Sequence, residues 1–340
     1  MRNIFYLFIG VLFFSACSND DYEKILPKNP ALAVQIPENF PAVNAAYYTN
    51  TPTEFGVALG EKLFNDKRFS TDNSISCASC HIQSHAFADD KPRAIGVANR
   101  EGIRNTPPIQ NLAFMKFYNW DGSKLQLEKQ AIVPIITHEE MDSSLSQVIA
   151  KISKDEDYTA LFIKAFGDEE ITSDRIYKSI AQYEYTLISA NSKYDKVVRD
   201  KTETFTETEQ QGYEVFQQKC ASCHATALFT DQSFRNIGFP LNTNTNETGR
   251  ARVTGNLEDY MSFRVPSLRN IAYTAPYGSF GQFNTLKEVL DYFDEGVLEA
   301  DNLDPIFKEN NNSIPLTEQE KEQLIAFMHT LSDAKFVSGK

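Results

Sequence analysis

What this chain lacks narrows its reading first. It has no surplus of positive charge: 33 lysines and arginines against 46 aspartates and glutamates give a formal charge of −13. That balance argues against the phosphate-neutralising surface that nucleic-acid binding requires, and so against nucleic acid as a partner. Few segments alternate apolar and polar residues as half-buried strands do, which predicts a mainly α fold with long loops. No run is apolar enough to cross a bilayer at Ile4 to Phe14, the stretch that comes nearest, because it is too short. Metal-binding side chains are scarce as well, with five cysteines and five histidines in 340 residues.

Against that scarcity one pentapeptide is written twice, as Cys77-Ala78-Ser79-Cys80-His81 and as Cys220-Ala221-Ser222-Cys223-His224. In a C-x-x-C-H motif two thioethers tie a haem to the chain and the adjacent histidine reaches its iron. A redox dithiol or a zinc site would use the same residue types. Two complete copies in so cysteine-poor a chain point instead to two covalent c-type haems.

The fifth cysteine, Cys17, follows Arg2, the apolar run Ile4 to Phe14, and Ser15-Ala16. Residues 1–16 read as a lipoprotein signal whose removal leaves Cys17 to carry lipid. The alternative is a plain secretory signal with a leftover thiol. Either way the chain is exported across the cytoplasmic membrane, to the side on which bacterial c-type haem is attached. The expectation is a periplasmic or cell-envelope protein tethered to a membrane, the outer membrane among the options, by its lipid anchor only. Loss of Arg2 makes the mature chain more acidic still. An acidic surface steers a basic partner such as a small electron-carrier protein, although it is equally the mark of a solvated surface.

A hydrophobic content of 41% and a charged content of 23% describe a globular chain with room for two cores. A weak repeat agrees. Thr53 to Phe64 has Phe55, Leu59 and Leu63 at helical spacing, with Gly60 four residues before Phe64; Thr206 to Lys219 has Gly212 four residues before Phe216. Each of these helices precedes a haem motif. Candidate closing helices are Ser173 to Asn191 and Thr317 to Ser332, the second opened by Thr317 and Glu320 as a capping box. The charged stretch Arg199 to Thr204 marks a boundary, giving a linker over 17–50 and domains over 51–200 and 201–340. A helix crossing another beside a haem resembles cytochrome c, so the fold predicted is two cytochrome c-like domains with one haem each.

Further motifs sharpen the resemblance. Arg104-Asn105-Thr106-Pro107, Trp120-Asp121-Gly122, then Gln130, Pro134 and Glu140, and later Phe263-Arg264-Val265-Pro266-Ser267-Leu268-Arg269-Asn270 and Thr274-Ala275-Pro276-Tyr277 together resemble the bacterial dihaem cytochrome c peroxidase and MauG family. The likeness runs from about Gly56 to the last helix. It implies that the haem on Cys77, Cys80 and His81 binds hydrogen peroxide, with Gln130 and Glu140 in its distal pocket and Pro134 shaping that pocket. Glu140 would move protons, since cleaving O–O requires a proton at the leaving oxygen. A solvated acidic face is the plainer reading of Glu139-Glu140. The resemblance places Trp120 between the haems to help electrons pass, with core packing as the alternative. It implies calcium held by Asn105, Thr274 and Pro276, where turn chemistry alone would also account for those residues. A homodimer is compatible with it.

Two positions depart from the family pattern. The residue matching the sixth ligand of the C-terminal haem, on Cys220, Cys223 and His224, is Phe293, and phenylalanine cannot ligate iron. A histidine usual after the Thr-Ala-Pro-Tyr element is Ser279. Tyr292 or Met261 would substitute as ligand, or that iron is five-coordinate. The segment from Ala86 to Asn119 contains no histidine to block the first iron, and His85 reads as structural. The leading function is reduction of hydrogen peroxide to water with electrons from a small cytochrome c or copper protein, entering through the C-terminal haem. A MauG-like oxidase of a protein or organic substrate, a non-catalytic electron carrier and a structural or surface-binding lipoprotein that retains haem remain as alternatives.

Overall fold

In a computed structural model, residues 28–240 and 245–339 are described. Residues 1–16, read above as a signal, and Cys17 lie outside them. The described chain is mainly helical, with one pair of two-residue strands, Phe234–Arg235 and Phe263–Arg264, antiparallel to each other. Among the described residues no helix is long and apolar enough to cross a membrane.

Each half is built on a crossed helix pair. Helix Glu54–Asn65 is capped by the Thr53 side chain and buries Leu59 and Leu63 against helix Ser173–Tyr185. Helix Glu207–Lys219 opens with a Thr206/Glu209 capping box and packs on helix Glu318–His329, which has the expected Thr317/Glu320 box. The repeated glycine has one purpose in both. A β-carbon on Gly60 would lie 1.9 Å from the Ser179 carbonyl oxygen, and one on Gly212 would lie 1.9 Å from that of Gln323. The helices therefore touch backbone to backbone at these crossings, and only glycine permits that approach. The phenylalanine one turn later is then fully buried: Phe64 sits 6.4 Å from the His81 ring, and Phe216 sits 5.5 Å from Phe229.

The first closing helix stops at Tyr185, short of the Asn191 expected from its periodicity. Thr186 bonds back to the Tyr183 carbonyl at 2.7 Å. Asn111 then grips the departing chain: its N–H donates to Leu187 O at 2.8 Å, and its side chain accepts from Ser189 N at 2.9 Å. A tertiary contact ends the helix where local propensity would have continued it.

The halves are tied by a buried knot. Arg269 is wholly buried and meets Asp195 through two bonds of 2.8 and 2.9 Å, while its Nε donates to Ala227 O at 2.7 Å. Burial alone would raise the Asp195 pKa, but the Arg269 guanidinium overrides it and holds the carboxyl below its ordinary range. Asn270 beside it bonds Gln110 and the Ser189 hydroxyl, and receives Asp333 N at 2.7 Å. The boundary near 200 is not a clean seam. Tyr194 and Val198, ahead of it, pack in the second core, and Phe336 returns to pack at a tilt on Phe87 of the first, with ring centroids 5.4 Å apart.

Candidate functional site

Both histidines of the repeated motif are aimed by backbone. After His81 the chain doubles back through Gln83–His85, with Ala86 and Phe87 left-handed at φ 52° and 60°. This turn sets the Phe87 carbonyl 2.8 Å from His81 Nδ1. A ring whose Nδ1–H donates there presents Nε2 as a neutral metal ligand. Burial, against the opposing pull of that hydrogen bond, lowers the imidazole pKa and keeps it neutral. His224 is held likewise, Nδ1 to Phe229 O at 3.0 Å, with Thr226 and Phe229 left-handed at φ 63° and 55°. His85 belongs to the turn itself and bonds Ser84 Oγ at 3.3 Å, away from the cavity described next. The four cysteines form no disulfides, and burial pushes the Cys80 and Cys220 thiols up to about 12. They are poor redox thiols and suitable thioether carriers.

Beside the first motif lies a cavity of about 500 Å³, within the usual range for a cofactor site. Cys77, Cys80 and His81 line it together with Gln130, Pro134 and Glu140. After helix Ile132–Ile136 the chain reverses on Thr137, whose carbonyl accepts Glu140 N at 3.1 Å, while Val97 N donates to Glu140 O at 2.8 Å. Gly96 is required beneath this turn, because a β-carbon there would meet Glu140 O at 2.3 Å. Glu140 lines the cavity beside this turn. Burial, reinforced by Glu139, pushes its pKa up to about 7. Gln130 donates from Nε2 to Asn119 Oδ1 at 3.1 Å, which fixes its orientation.

Trp120 lines the same cavity and packs on Met261, Phe263 and Phe280 from the second half of the chain. Its indole N–H donates to Asn105 O at 2.9 Å, and its carbonyl accepts Arg264 N at 2.8 Å. Asn105 N in turn donates to Ser279 O at 2.9 Å. Among the cavity residues without a role in the sequence reading are Glu184 and Arg264. Glu184 is buried on helix Ser173–Tyr185, its pKa pushed up to about 8 by burial and by Glu128. Its position one turn after Ile180, on the apolar face, was the available signal. Arg264 was quoted within a motif and given no role.

Around the second motif the furnishing is different. Cys220 and Ala221 pack with Tyr194, Phe216, Phe229 and Phe327. Phe293 and Tyr292 join a separate cluster with Val297, Leu303 and Phe307. Tyr292 spends its hydroxyl on Gly238 O at 2.5 Å, and burial raises its pKa, so it is a neutral phenol. Met261 is committed to the Trp120 cluster. Ser279 Oγ is buried without a partner.

A cavity flanked by two cysteines and a backbone-aimed imidazole, repeated as a motif on a second crossed helix pair, defines a c-type cytochrome with two haems. The comparisons make the class specific. The di-haem cytochrome c peroxidase family profile matches residues 54–203. Over 300 residues the chain is 34% identical to the methylamine utilization protein MauG of Methylorubrum extorquens, covering 87% of this chain and 82% of that one. It is 35% identical over 245 residues to the cytochrome c551 peroxidase of Nitrosomonas europaea, 71% of this chain and 73% of that one. A solved MauG-like protein associated with microbial copper homeostasis superposes with a TM-score of 0.81 at 28% identity, covering 90% of this chain and 97% of that one. The chain belongs to the di-haem cytochrome c peroxidase family.

Proposed function

We propose that this protein is a dihaem peroxidase that reduces hydrogen peroxide to water in the cavity of the first motif. The observation that carries the reading is Glu140, a carboxyl held near neutral pKa in the same cavity as Cys77, Cys80 and His81. Bound there, the haem supplies the iron that takes up peroxide and the electrons for its reduction. The chain supplies the rest. Glu140 holds a proton for the leaving oxygen, Gln130 is oriented by Asn119 to hydrogen-bond the substrate, and Pro134 narrows the space beside them. Trp120 lines the cavity and packs on Met261, Phe263 and Phe280 of the second half, which supports a role in passing electrons. Relatives named cytochrome c peroxidase support a cytochrome as donor, entering by the C-terminal haem.

A second reading has its own support. Relatives named MauG match over most of the chain, and the segment from Ala86 to Asn119 holds no histidine to close the first site. A MauG-like oxidase of a protein or organic substrate would use the same cavity. Calcium at Asn105, Thr274 and Pro276 also belongs to the proposal, supported by the Asn105 N to Ser279 O bond that joins the two loops. Export, lipidation at Cys17 and a periplasmic or envelope location rest on the leader alone.

The deciding experiment is steady-state consumption of peroxide by the oxidised holoprotein with reduced cytochrome c, alongside Glu140→Gln. Peroxide-dependent oxidation of the cytochrome, lost in the variant, supports the peroxidase. A native protein inert to peroxide in both its oxidised and half-reduced forms refutes it.

A further inference from the structure

Arg264 lines the cavity of the first motif, yet it belongs to the second half of the chain. It lies on the short strand Phe263–Arg264, and its N–H bonds the Trp120 carbonyl at 2.8 Å, which carries the side chain across into the first domain. The residue is 8% exposed. Other buried arginines here are paired: Arg269 with Asp195, and Arg104 with Asp121 and Glu247. Arg264 forms no ion pair among the described residues. Its Nε has no partner, and its Nη1 reaches only the Val265 carbonyl, at a long 3.4 Å.

An unpaired guanidinium in such a place is costly, because water no longer solvates it and nothing replaces the water. Burial lowers its pKa to about 10, against a small opposing effect of Tyr118, so it stays a cation at neutral pH. The cavity's own carboxyls do not answer it. Asp121 is bonded to Arg104. Glu139, Glu140 and Glu184 form no ion pair with Arg264, and burial raises Glu140 and Glu184 with no cation lowering them. The missing anion must arrive with the cofactor, and the anionic groups of a haem are its two propionates. A guanidinium fork matches a carboxylate in shape and charge.

We infer that Arg264 anchors a propionate of the first haem, as a positioning residue supplied by the C-terminal domain, and that its charge raises that haem's reduction potential. The inference rests on a haem occupying this cavity. It holds equally for a peroxidase and for a MauG-like oxidase.

The test is a spectroscopic redox titration of the holoprotein with resonance Raman of the propionate bending bands, for wild type, Arg264→Gln and Arg264→Lys. In the glutamine variant the first haem's midpoint potential is expected to fall and its propionate band to shift, with the second haem unmoved. Lysine keeps the charge and loses the fork, so it should restore most of the potential while leaving the band shifted. A glutamine variant with wild-type potentials and bands, or a shift confined to the second haem, overturns the inference. Should the glutamine variant fail to load both haems, the lysine variant decides, since a wild-type propionate band there is equally fatal. Wild-type protein carrying haem only on Cys220 and Cys223 would remove the assignment of the cavity itself, and the inference with it.

Discussion

Around His81 and around His224 the backbone performs the same manoeuvre: a glycine-notched helix crossing, a buried phenylalanine, then a left-handed turn whose carbonyl fixes the imidazole. The side chains beyond that frame diverge. The first is followed by a cavity with Glu140, Glu184, Gln130 and Arg264, and the second by aromatic packing of Tyr194, Phe216, Phe229 and Phe327. Shared backbone grips the cofactor, and unshared side chains decide what each cofactor is for. On the proposed function, the first surround would keep a proton and the substrate at hand, and the aromatic surround of the second motif would hold a cofactor that serves as a relay.

The largest expected effect removes what both halves share. Arg269→Met leaves buried Asp195 with only the long 3.9 Å contact to Arg199 as a charged partner, and should cost about 3–5 kcal/mol, read as a drop in the denaturant midpoint of the whole chain. Independent melting of one half at its native midpoint would break the picture of a common knot.

Next is the difference itself. Glu140→Gln should lower peroxide kcat/KM by about 10²–10⁴-fold with haem content unchanged. In the native protein the acid form of Glu140 is lost as pH rises through about 7, so activity limited by this proton should fall over that range. The variant should be flat there. The stability sign follows from the same shift. The folded state holds a proton that the unfolded chain releases near 4.5, so the contribution is fullest below that pH and fades as pH rises toward 7.

The two crossings offer a like-for-like comparison. Gly60→Ala and Gly212→Ala each force a methyl onto a carbonyl oxygen and should each cost about 1–3 kcal/mol by thermal denaturation. Markedly unequal costs would show that the cradles are less alike than their backbones. The smallest change is Tyr292→Phe. It should cost about 1 kcal/mol for the hydrogen bond to Gly238 and leave the second haem's absorption spectrum alone. A changed spectrum would make Tyr292 a ligand after all.

What could be read from sequence divides by distance along the chain. The haem motifs, the capping boxes at Thr206 and Thr317, and the glycine-phenylalanine spacing are local patterns and were legible. The end of helix Ser173–Tyr185 was not, because Asn111 imposes it from far away in sequence. Glu184 could have been noticed as a carboxyl on an apolar face. Arg264 could not have been given a use, since its unpaired state exists only once strand and cavity are assembled. Phe293 was flagged as unable to bind iron, but its place in a cluster with Val297 and Phe307 required tertiary structure.

The return of Phe336 to Phe87 bears on how the protein is made. Gln83, in the turn that aims His81, donates to the Phe336 carbonyl at 3.1 Å across a sequence separation of 253. During synthesis the first haem motif emerges long before the residues that brace its turn. Early haem attachment therefore meets an unbraced loop, open to the attachment machinery. The late arrival of residues 334–338 then closes over the finished product, so the order in which the chain is made is itself a schedule for maturation.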